Sequence, residues 1–258
     1  MRTAQRVLLE FLGEHEGISE PDVHGLLFRY CQGSAQPAYD FVLYAERAHS
    51  FTAAADLEKL IQKGVVERDS GRLRLRASAP GTLPAAEPRV EHRHQPIGTP
   101  LSHEASPSSG LCAPPLCTIG YEGRSLENYL NRLLTARVST LCDVRRNPLS
   151  RKFGFSKGTL SRACCAVGIE YEHLPELGIA SEQRRHIVTD ADRQALFREY
   201  AGTTLAAELV ALDRIGARLE AGQRVALTCY EERPEDCHRN ALARALSARF
   251  DVPSTAHL

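Results

Sequence analysis

The sequence has no apolar run long enough to cross a bilayer and no overall charge of either sign. A membrane-spanning helix needs about 20 consecutive apolar residues, and no stretch of this chain approaches that length. Its 32 Lys and Arg balance its 32 Asp and Glu, so any attraction to nucleic acid or to a membrane surface must be local. We therefore expect a protein without a membrane partner, whose binding sites depend on local clusters of side chains.

Several common sequence signals are also absent. No secretory signal peptide is apparent, and eight cysteines in 258 residues fit free thiols in a reducing cytoplasm better than a disulfide framework. The chain lacks the Gly-Lys-Ser phosphate loop and the spaced glycines of a dinucleotide site. These absences predict a cytoplasmic protein and exclude two familiar nucleotide-binding signatures.

Composition divides the chain into three parts. Residues 77–115 are rich in Pro, Ser, Gly and Ala and lack periodic apolar positions, which predicts a flexible linker. The flanking segments, residues 1–76 and 116–258, are each long enough to bury a core of their own. We therefore predict two domains joined by the linker.

Residues 1–76 show three helical patterns followed by two short β-prone runs around Asp69-Ser70-Gly71. This order resembles a winged helix-turn-helix, a module that places one helix in the major groove of DNA. The segment has ten Lys and Arg against eleven Asp and Glu, whereas DNA readers usually have a basic face. DNA binding, protein contact and homodimer formation therefore remain open roles for this winged-helix-like domain.

Residues 116–258 alternate short apolar runs with helical patterns. This alternation predicts βαβ units, and hence an α/β domain with a mainly parallel sheet and helices on both faces. Because right-handed crossovers bring the carboxyl ends of parallel strands to one edge, polar residues that follow the runs are expected to share a cleft. Those residues are Tyr121, Glu122, Asp143, Arg145, His173 and Cys229.

The segment CYEERPEDCHR, residues 229–239, is the densest set of reactive side chains in the chain. Cys229, Cys237 and His238 are ligand types for zinc, but they lack the Cys-x-x-Cys spacing of structural sites. We therefore predict no metal ligands and leave the cofactor open. Cys229 is alternatively a nucleophile, and Glu231 is the stronger candidate for acid/base catalysis.

A cluster of positive charge follows the run that ends at Asp143. Between Val144 and Ile169 there are six Lys or Arg and no acid, and guanidinium groups bind phosphate oxygens in forked pairs. Phe153 and Phe155 either stack on bases or pack in the core, and we favour the core. The candidate phosphate or nucleic-acid ligands are Tyr121, Glu122, Arg145, Arg146, Arg151, Lys152 and Arg239.

Five blocks in order resemble the domain-of-unknown-function family 488. They are TIGYEGRSLENYLNRLL, LCDVRRNPLSRKFGFSK, GIEYEHLPELG, FREYA and VALTCYEERPEDCHRNALA. The resemblance covers residues 116–258 and implies a compact α/β domain with a polar site drawn from these blocks, but no reaction. It also implies that Glu231 corresponds to the family's acid.

Together these patterns predict an enzyme that processes nucleic acid or a nucleotide. The expected partner of this enzyme is DNA or a nucleotide. The expected enzyme class is a hydrolase or glycosylase that acts in DNA repair or defence. The catalytic candidates are Asp143, Cys229, Glu231 and His238, although Asp143 is equally well explained as the partner of a neighbouring arginine. The alternative is a non-enzymatic DNA-binding sensor whose α/β domain binds a small anionic ligand.

Overall fold

The computed structural model describes residues 1–34, 37–76, 114–185 and 187–258. The chain divides into two compact units, the N-terminal unit Met1–Leu111 and the α/β unit Cys112–Leu258. All but the last two residues of the predicted linker lie outside the described ranges. Within these ranges, no helix is both long and apolar enough to cross a membrane.

The N-terminal unit contains three helices and two small antiparallel sheets in its described residues. One sheet has the order β1-β5-β4, and in the other β2 pairs with β3. The elements are α1 (Thr3–Glu14), β1 (Ile18–Ser19), α2 (Val23–Gln32), β2 (Val42–Tyr44), β3 (Arg47–His49), α3 (Phe51–Gln62), β4 (Val66–Asp69) and β5 (Arg72–Leu75). The three predicted helices and the two strands after them are present.

The arginines of the β4–β5 hairpin contact groups of their own unit. Arg68 lies 2.6 Å from a carboxylate oxygen of both Glu20 and Glu58, and Arg72 donates a hydrogen bond to the carbonyl oxygen of Gly17 at 2.9 Å. These contacts offset part of the positive charge that the sequence gives to the hairpin. The winged-helix assignment and its DNA contact stay predictions.

A half-buried histidine pair is expected to make the N-terminal unit sensitive to acid. The rings of His24 and His49 lie 4.1 Å apart, and His24 Nδ1 accepts a hydrogen bond from the backbone N–H of Ser50 at 3.3 Å. Burial, and to a lesser extent the nearby charge of His49, lowers the pKa of His24 to about 4. The unfolded chain, with an ordinary histidine pKa of about 6.5, therefore binds this proton more readily than the folded unit.

We expect this pair to weaken the N-terminal unit as pH falls. The stabilisation is fully present above pH 6.5 and is lost as pH falls from about 6.5 towards 4. For His24 the loss in free energy of unfolding is on the order of 2 kcal/mol. Hydrogen exchange of α2 and α3 amides in the full chain, at pH 7 and 4.5, measures it. His24→Gln should reduce the pH dependence, and a variant with the dependence of the wild type would contradict the assignment.

The α/β unit is built on a five-stranded parallel sheet of order β10-β6-β9-β7-β8. Its elements are β6 (Leu116–Gly120), α4 (Leu126–Thr135), β7 (Thr140–Asp143), α5 (Lys157–Ala166), β8 (Glu170–His173), α6 (Asp190–Gly202), α7 (Thr204–Ala207), α8 (Leu209–Glu220), β9 (Val225–Cys229), α9 (His238–Arg249) and β10 (Thr255–His257). The predicted α/β fold with a parallel sheet is confirmed.

Helices cover both faces of this sheet. Leu227 of β9 shares a buried core with residues of α6, α8 and α9, among them Ile215 and Leu242. The next residue, Thr228, points to the opposite face because side chains alternate along a strand. There its hydroxyl accepts a hydrogen bond from Tyr129 of α4 at 2.7 Å. The three central strands β6, β9 and β7 are thus held between two helical layers.

The sheet topology creates a crevice at the carboxyl ends of β6 and β9. These strands are neighbours, yet β6 leads into α4 on one face and β9 leads into α9 on the other. Open α/β sheets bind ligands at such switch points. The register pairs Gly120 with Cys229, and Asp143 with both Thr228 and His173. The predicted meeting of strand ends at one edge is therefore confirmed.

Candidate functional site

The loop that follows β9 lies directly against the end of β6. A Cβ atom on Gly120 would lie 1.8 Å from the carbonyl oxygen of Glu231, so a side chain at this position would displace the loop. Arg239 donates from Nη1 to the Glu231 carbonyl at 2.5 Å and from Nη2 to the Glu232 carbonyl at 2.8 Å. The lack of a side chain at Gly120 and the guanidinium of Arg239 together fix the backbone that carries the Glu231 carboxylate.

The other side of the same loop is held by residues that follow β6. The backbone N–H groups of Tyr121 and Glu122 donate to the carbonyl oxygen of Tyr230 at 3.1 and 2.9 Å. Glu122 Oε2 accepts a hydrogen bond from the backbone N–H of Glu232 at 3.1 Å. Glu122, predicted as a ligand contact, thus holds the loop. Arg239 has the same role and is only 1% exposed, so we do not include it among anion ligands.

Asp143 and Arg145 form a buried ion pair at the end of β7. Arg145 donates from Nε to Asp143 Oδ1 at 2.8 Å and from Nη2 to Oδ2 at 2.5 Å. Tyr171 donates to the same Oδ2 at 2.6 Å, and Arg145 Nη1 donates to the Phe155 carbonyl oxygen at 2.8 Å. This geometry favours the second sequence interpretation, in which Asp143 is the partner of an arginine.

The role of phosphate ligand predicted for Arg145 does not fit this arrangement. Its side chain is 6% exposed and Asp143 is fully buried. All three of its guanidinium nitrogens donate to protein oxygens, including the Tyr121 hydroxyl at 3.0 Å. A phosphate would have to displace these internal bonds. The pair therefore stabilises the sheet edge and is separate from the reactive cluster described below.

Tyr121 belongs to the same buried network. Its ring stacks on Phe155 with centroids 4.4 Å apart and planes inclined by 9°, and its carbonyl oxygen accepts a hydrogen bond from Lys152 Nζ at 2.9 Å. Phe155 is fully buried, as the core interpretation predicted, whereas Phe153 is 42% exposed. Tyr121 and Lys152 therefore make internal contacts in place of the predicted phosphate contacts.

His173 is also held by internal hydrogen bonds. Its Nε2 donates to the carbonyl oxygen of Arg145 at 2.9 Å, and its Nδ1 accepts from Lys157 Nζ at 3.1 Å. Both ring nitrogens are thus occupied, which fits a structural role. Arg146 and Arg151 are exposed on the segment between β7 and α5 and remain candidates for contact with a polyanion.

Cys229, Cys237 and His238 meet in a thiol–imidazole cluster. Cys229 ends β9, and Cys237 and His238 begin α9, so the turn between these elements brings the three side chains together. The two sulfur atoms are each 3.8 Å from His238 Nδ1. The three possible ligand atoms, two sulfurs and one ring nitrogen, all lie within 4.8 Å of one another. Each residue is 1% exposed.

The two thiols of the cluster differ in acidity. A hydrogen bond from Cys237 is the main cause that lowers the pKa of Cys229 well below its ordinary value; burial opposes this effect and His238 adds to it. Burial, followed by the hydrogen bond to Cys229, raises the pKa of Cys237. The pair therefore favours one thiolate, on Cys229, with its proton partner on Cys237.

A cleft of about 200 Å³ opens beside this cluster. Its lining includes Arg184, Arg193, Leu196, Phe197, Glu231 and His238. Glu231 Oε2 is buried and has no hydrogen-bond partner among the described residues, while Oε1 lies 3.7 Å from Arg184 Nη1. Burial, and next the nearby Cys229, raises the pKa of the Glu231 carboxyl. A hydrogen bond from the Cys237 thiol opposes this rise in the pKa. The carboxyl group thus contacts the thiols of the cluster and keeps one oxygen, Oε2, without a hydrogen-bond partner in the described part of the chain.

The cleft contains residues that sequence reasoning did not select. Leu196 and Phe197 come from α6. The family block FREYA begins at Phe197, but none of its residues was chosen as a site candidate. Arg184 is one of two adjacent arginines in ASEQRR, which in the sequence indicate either an extension of the basic surface or ordinary solvated charges. Its position near Glu231 depends on how the segment before α6 folds over the sheet edge, for which the sequence contains no local signal.

The fold and the site define an open-sheet α/β protein with a cleft lined by α6, the segment before it and the residues that follow β9. Residues 125–246 match the family described as "Domain of unknown function DUF488", in agreement with the resemblance seen in the sequence. The α/β unit belongs to this family. No curated protein and no solved structure matches the chain.

Proposed function

We propose that the α/β unit is a hydrolase acting on a nucleotide or nucleic acid, with Glu231 as its acid/base group. The observation that carries this proposal is the unpartnered, buried Oε2 of Glu231 at the cleft. Buried polar atoms normally have hydrogen-bond partners, and an exception calls for an explanation. The exception is explained if Oε2 accepts a hydrogen bond from a water molecule or from the substrate.

The walls of the cleft suit a small group that is part anionic and part apolar. Arg184 is 37% exposed, and its nearest contacts are long, 3.7 Å to Glu231 and 3.5 Å to His238 Nδ1. Its guanidinium is therefore available to a phosphate, whereas Arg193 already pairs with Asp236 at 2.6 Å. Leu196 and Phe197 provide an apolar wall against which a sugar or base can pack.

A segment rich in cations starts at a residue that His238 contacts. His238 Nε2 donates to the carbonyl oxygen of Val144 at 3.1 Å, and Val144 is the first residue of the segment that has six cations and no acid. Its exposed cations are Arg146, Arg151, Lys157 and Arg162. Such a surface favours a phosphodiester backbone because cations that neutralise phosphates release bound counterions. A nucleic-acid strand is thus the better substrate class than a free sugar.

The chemistry requires water and no electron transfer. Glu231 accepts a proton from water as the water oxygen bonds to the electrophilic phosphorus or anomeric carbon. The bond from that atom to the leaving oxygen or nitrogen breaks, and the leaving group takes the electron pair of that bond. The protonated Glu231 then returns the proton to the leaving group, so the carboxylate is regenerated.

A substrate panel tests the proposal. Purified full-length protein is incubated with labelled single- and double-stranded DNA, undamaged and damaged, with and without added divalent metal. Glu231→Gln removes the base, and Glu232→Gln is its control, since Glu232 is an exposed neighbouring acid. We expect product from the wild type and from Glu232→Gln only. Absence of product from every substrate would overturn the proposal, and binding without turnover would favour the sensor alternative.

A further inference from the structure

We propose that Cys229, Cys237 and His238 bind one zinc ion whose fourth coordination position faces Glu231 and the cleft. These residues are the ligand types that zinc prefers, two thiolates and one imidazole. The inference deepens the proposed function and depends on it only for the role of the metal, since the ligands stand on their own geometry.

The distances in the cluster match tetrahedral coordination. Zinc lies about 2.3 Å from sulfur and about 2.0 Å from nitrogen. Two such ligands at a tetrahedral angle lie about 3.6 Å apart. Both observed distances from sulfur to His238 Nδ1 are 3.8 Å. Both sulfur–nitrogen distances are therefore within a few tenths of an ångström of those in a tetrahedral site, and all three ligand atoms lie within 4.8 Å of one another.

His238 is oriented as a metal ligand. Its Nε2 donates to the carbonyl oxygen of Val144 at 3.1 Å, which places the ring proton on Nε2 and leaves the lone pair of Nδ1 directed at both sulfurs. Metal-binding histidines commonly donate their second ring nitrogen to a carbonyl or carboxylate in this way. The backbone bond at the end of β7 thus fixes the tautomer that zinc requires.

The fourth position points to the cleft. Among the described residues, only Cys229, Cys237 and His238 share the 4.8 Å ligand cluster, and the carboxylate of Glu231 does not join it. His238 and Glu231 both line the cleft, so the side of the cluster that has no protein ligand faces the cleft and Arg184, whose Nη2 lies 3.5 Å from His238 Nδ1. Three protein ligands and an open position are the arrangement of catalytic zinc, whereas structural sites have four protein ligands.

The position of Glu231 gives this metal a role. A zinc ion with an open position binds water and makes its proton easier to remove. Glu231 lies beside the cluster without belonging to it, so its free Oε2 is placed to accept that proton. The substrate class inferred is one whose electrophilic centre reaches this water from the cleft, consistent with a nucleotide unit.

Metal content of the purified chain tests the inference. Protein prepared without chelator and equilibrated with zinc is expected to retain about one zinc ion per chain after desalting. Cys229→Ser and Cys237→Ser should each lower that content at least tenfold, and Cys165→Ser, which alters an exposed thiol on α5, should leave it unchanged. Glu231→Gln should also retain zinc.

Cobalt provides a second readout that needs no variant. Co²⁺ added to the metal-free wild type should give the ligand-to-metal absorption of thiolate coordination, and zinc should remove it by displacement. A wild type that retains no zinc and gives no such spectrum overturns the inference, even if the serine variants fail to fold. Loss of zinc in Glu231→Gln overturns the open position, because it would make Glu231 a ligand.

The experiments on zinc binding and on hydrolysis can fail independently of each other. Zinc retained by a protein that hydrolyses no substrate would leave the metal site in place and remove the proposed function. Hydrolysis that continues at full rate in metal-free protein would support the proposed function and overturn the role of the metal.

Discussion

Replacing Asp143 with asparagine is expected to lower the free energy of unfolding of the α/β unit by about 3–5 kcal/mol. The change leaves the guanidinium of Arg145 buried without a charged partner, and desolvated charges without partners are strongly destabilising. Tyr171 also loses the carboxylate that accepts its hydrogen bond. Native-state hydrogen exchange of β7 and β9 amides in the full chain measures this loss.

An exposed ion pair in the same unit provides the control. Asp213 lies 2.7 Å from Arg249 Nη2 and both side chains are largely exposed, so Asp213→Asn should cost about 0–1 kcal/mol. The double variant Asp143→Leu with Arg145→Met should be more stable than Asp143→Asn alone, because it removes both charges. A loss for Asp143→Asn no greater than that for Asp213→Asn would show that the buried pair does not hold the sheet edge.

Replacing Glu231 with glutamine is expected to reduce kcat about 10²- to 10⁴-fold, the usual contribution of general acid–base catalysis. Substrate affinity should change little, because glutamine has the same shape and the backbone at this position is held by Arg239 and by the close approach of Gly120. Steady-state kinetics on any substrate that the panel identifies separates kcat from KM.

The neighbouring acid distinguishes catalysis from a change in local charge. Glu232 is exposed and lies one residue from Glu231. Glu232→Gln removes the same charge as Glu231→Gln, and we expect it to change kcat less than about twofold. Equal losses in the two variants would mean that the site responds to charge alone. A loss confined to KM in Glu231→Gln would assign Glu231 to binding in place of acid/base catalysis.

The α/β fold could be predicted because its signals are local and repeated. Runs such as those ending at Gly120 and Cys229 are mostly apolar, as expected for strands buried on both faces, and helical patterns separate them. In the N-terminal unit, residues 39–44 are β-prone in the sequence and contain β2, but the second strand of this hairpin, β3, was missed for an equally local reason. Ala45 and Glu46 join β2 and β3 with positive φ angles of 48° and 61°, where Asn-Gly is the usual signal.

The meeting of the strand ends could be predicted from the sequence, whereas the roles of the candidate residues could not. Asp143 and Glu231 both follow buried strands, and sequence alone does not show that Arg145 encloses the first while the second keeps a free oxygen. The spacing of Cys229 and Cys237 argued against zinc because that rule describes ligands within one short turn. The three ligands of the proposed zinc site come from the end of a strand and the start of a helix, and only the fold brings these two places together.

Hydrolysis in H₂¹⁸O tests the central claim most directly. Wild-type protein is incubated with the nucleic-acid panel in labelled water, and the masses of the products are measured beside those from Glu231→Gln. The account predicts one ¹⁸O atom for each bond broken by the wild type, and at least about a hundredfold less labelled product from the variant. Wild-type protein that gives no labelled product, or a variant that gives as much as the wild type, would contradict a hydrolytic site at Glu231.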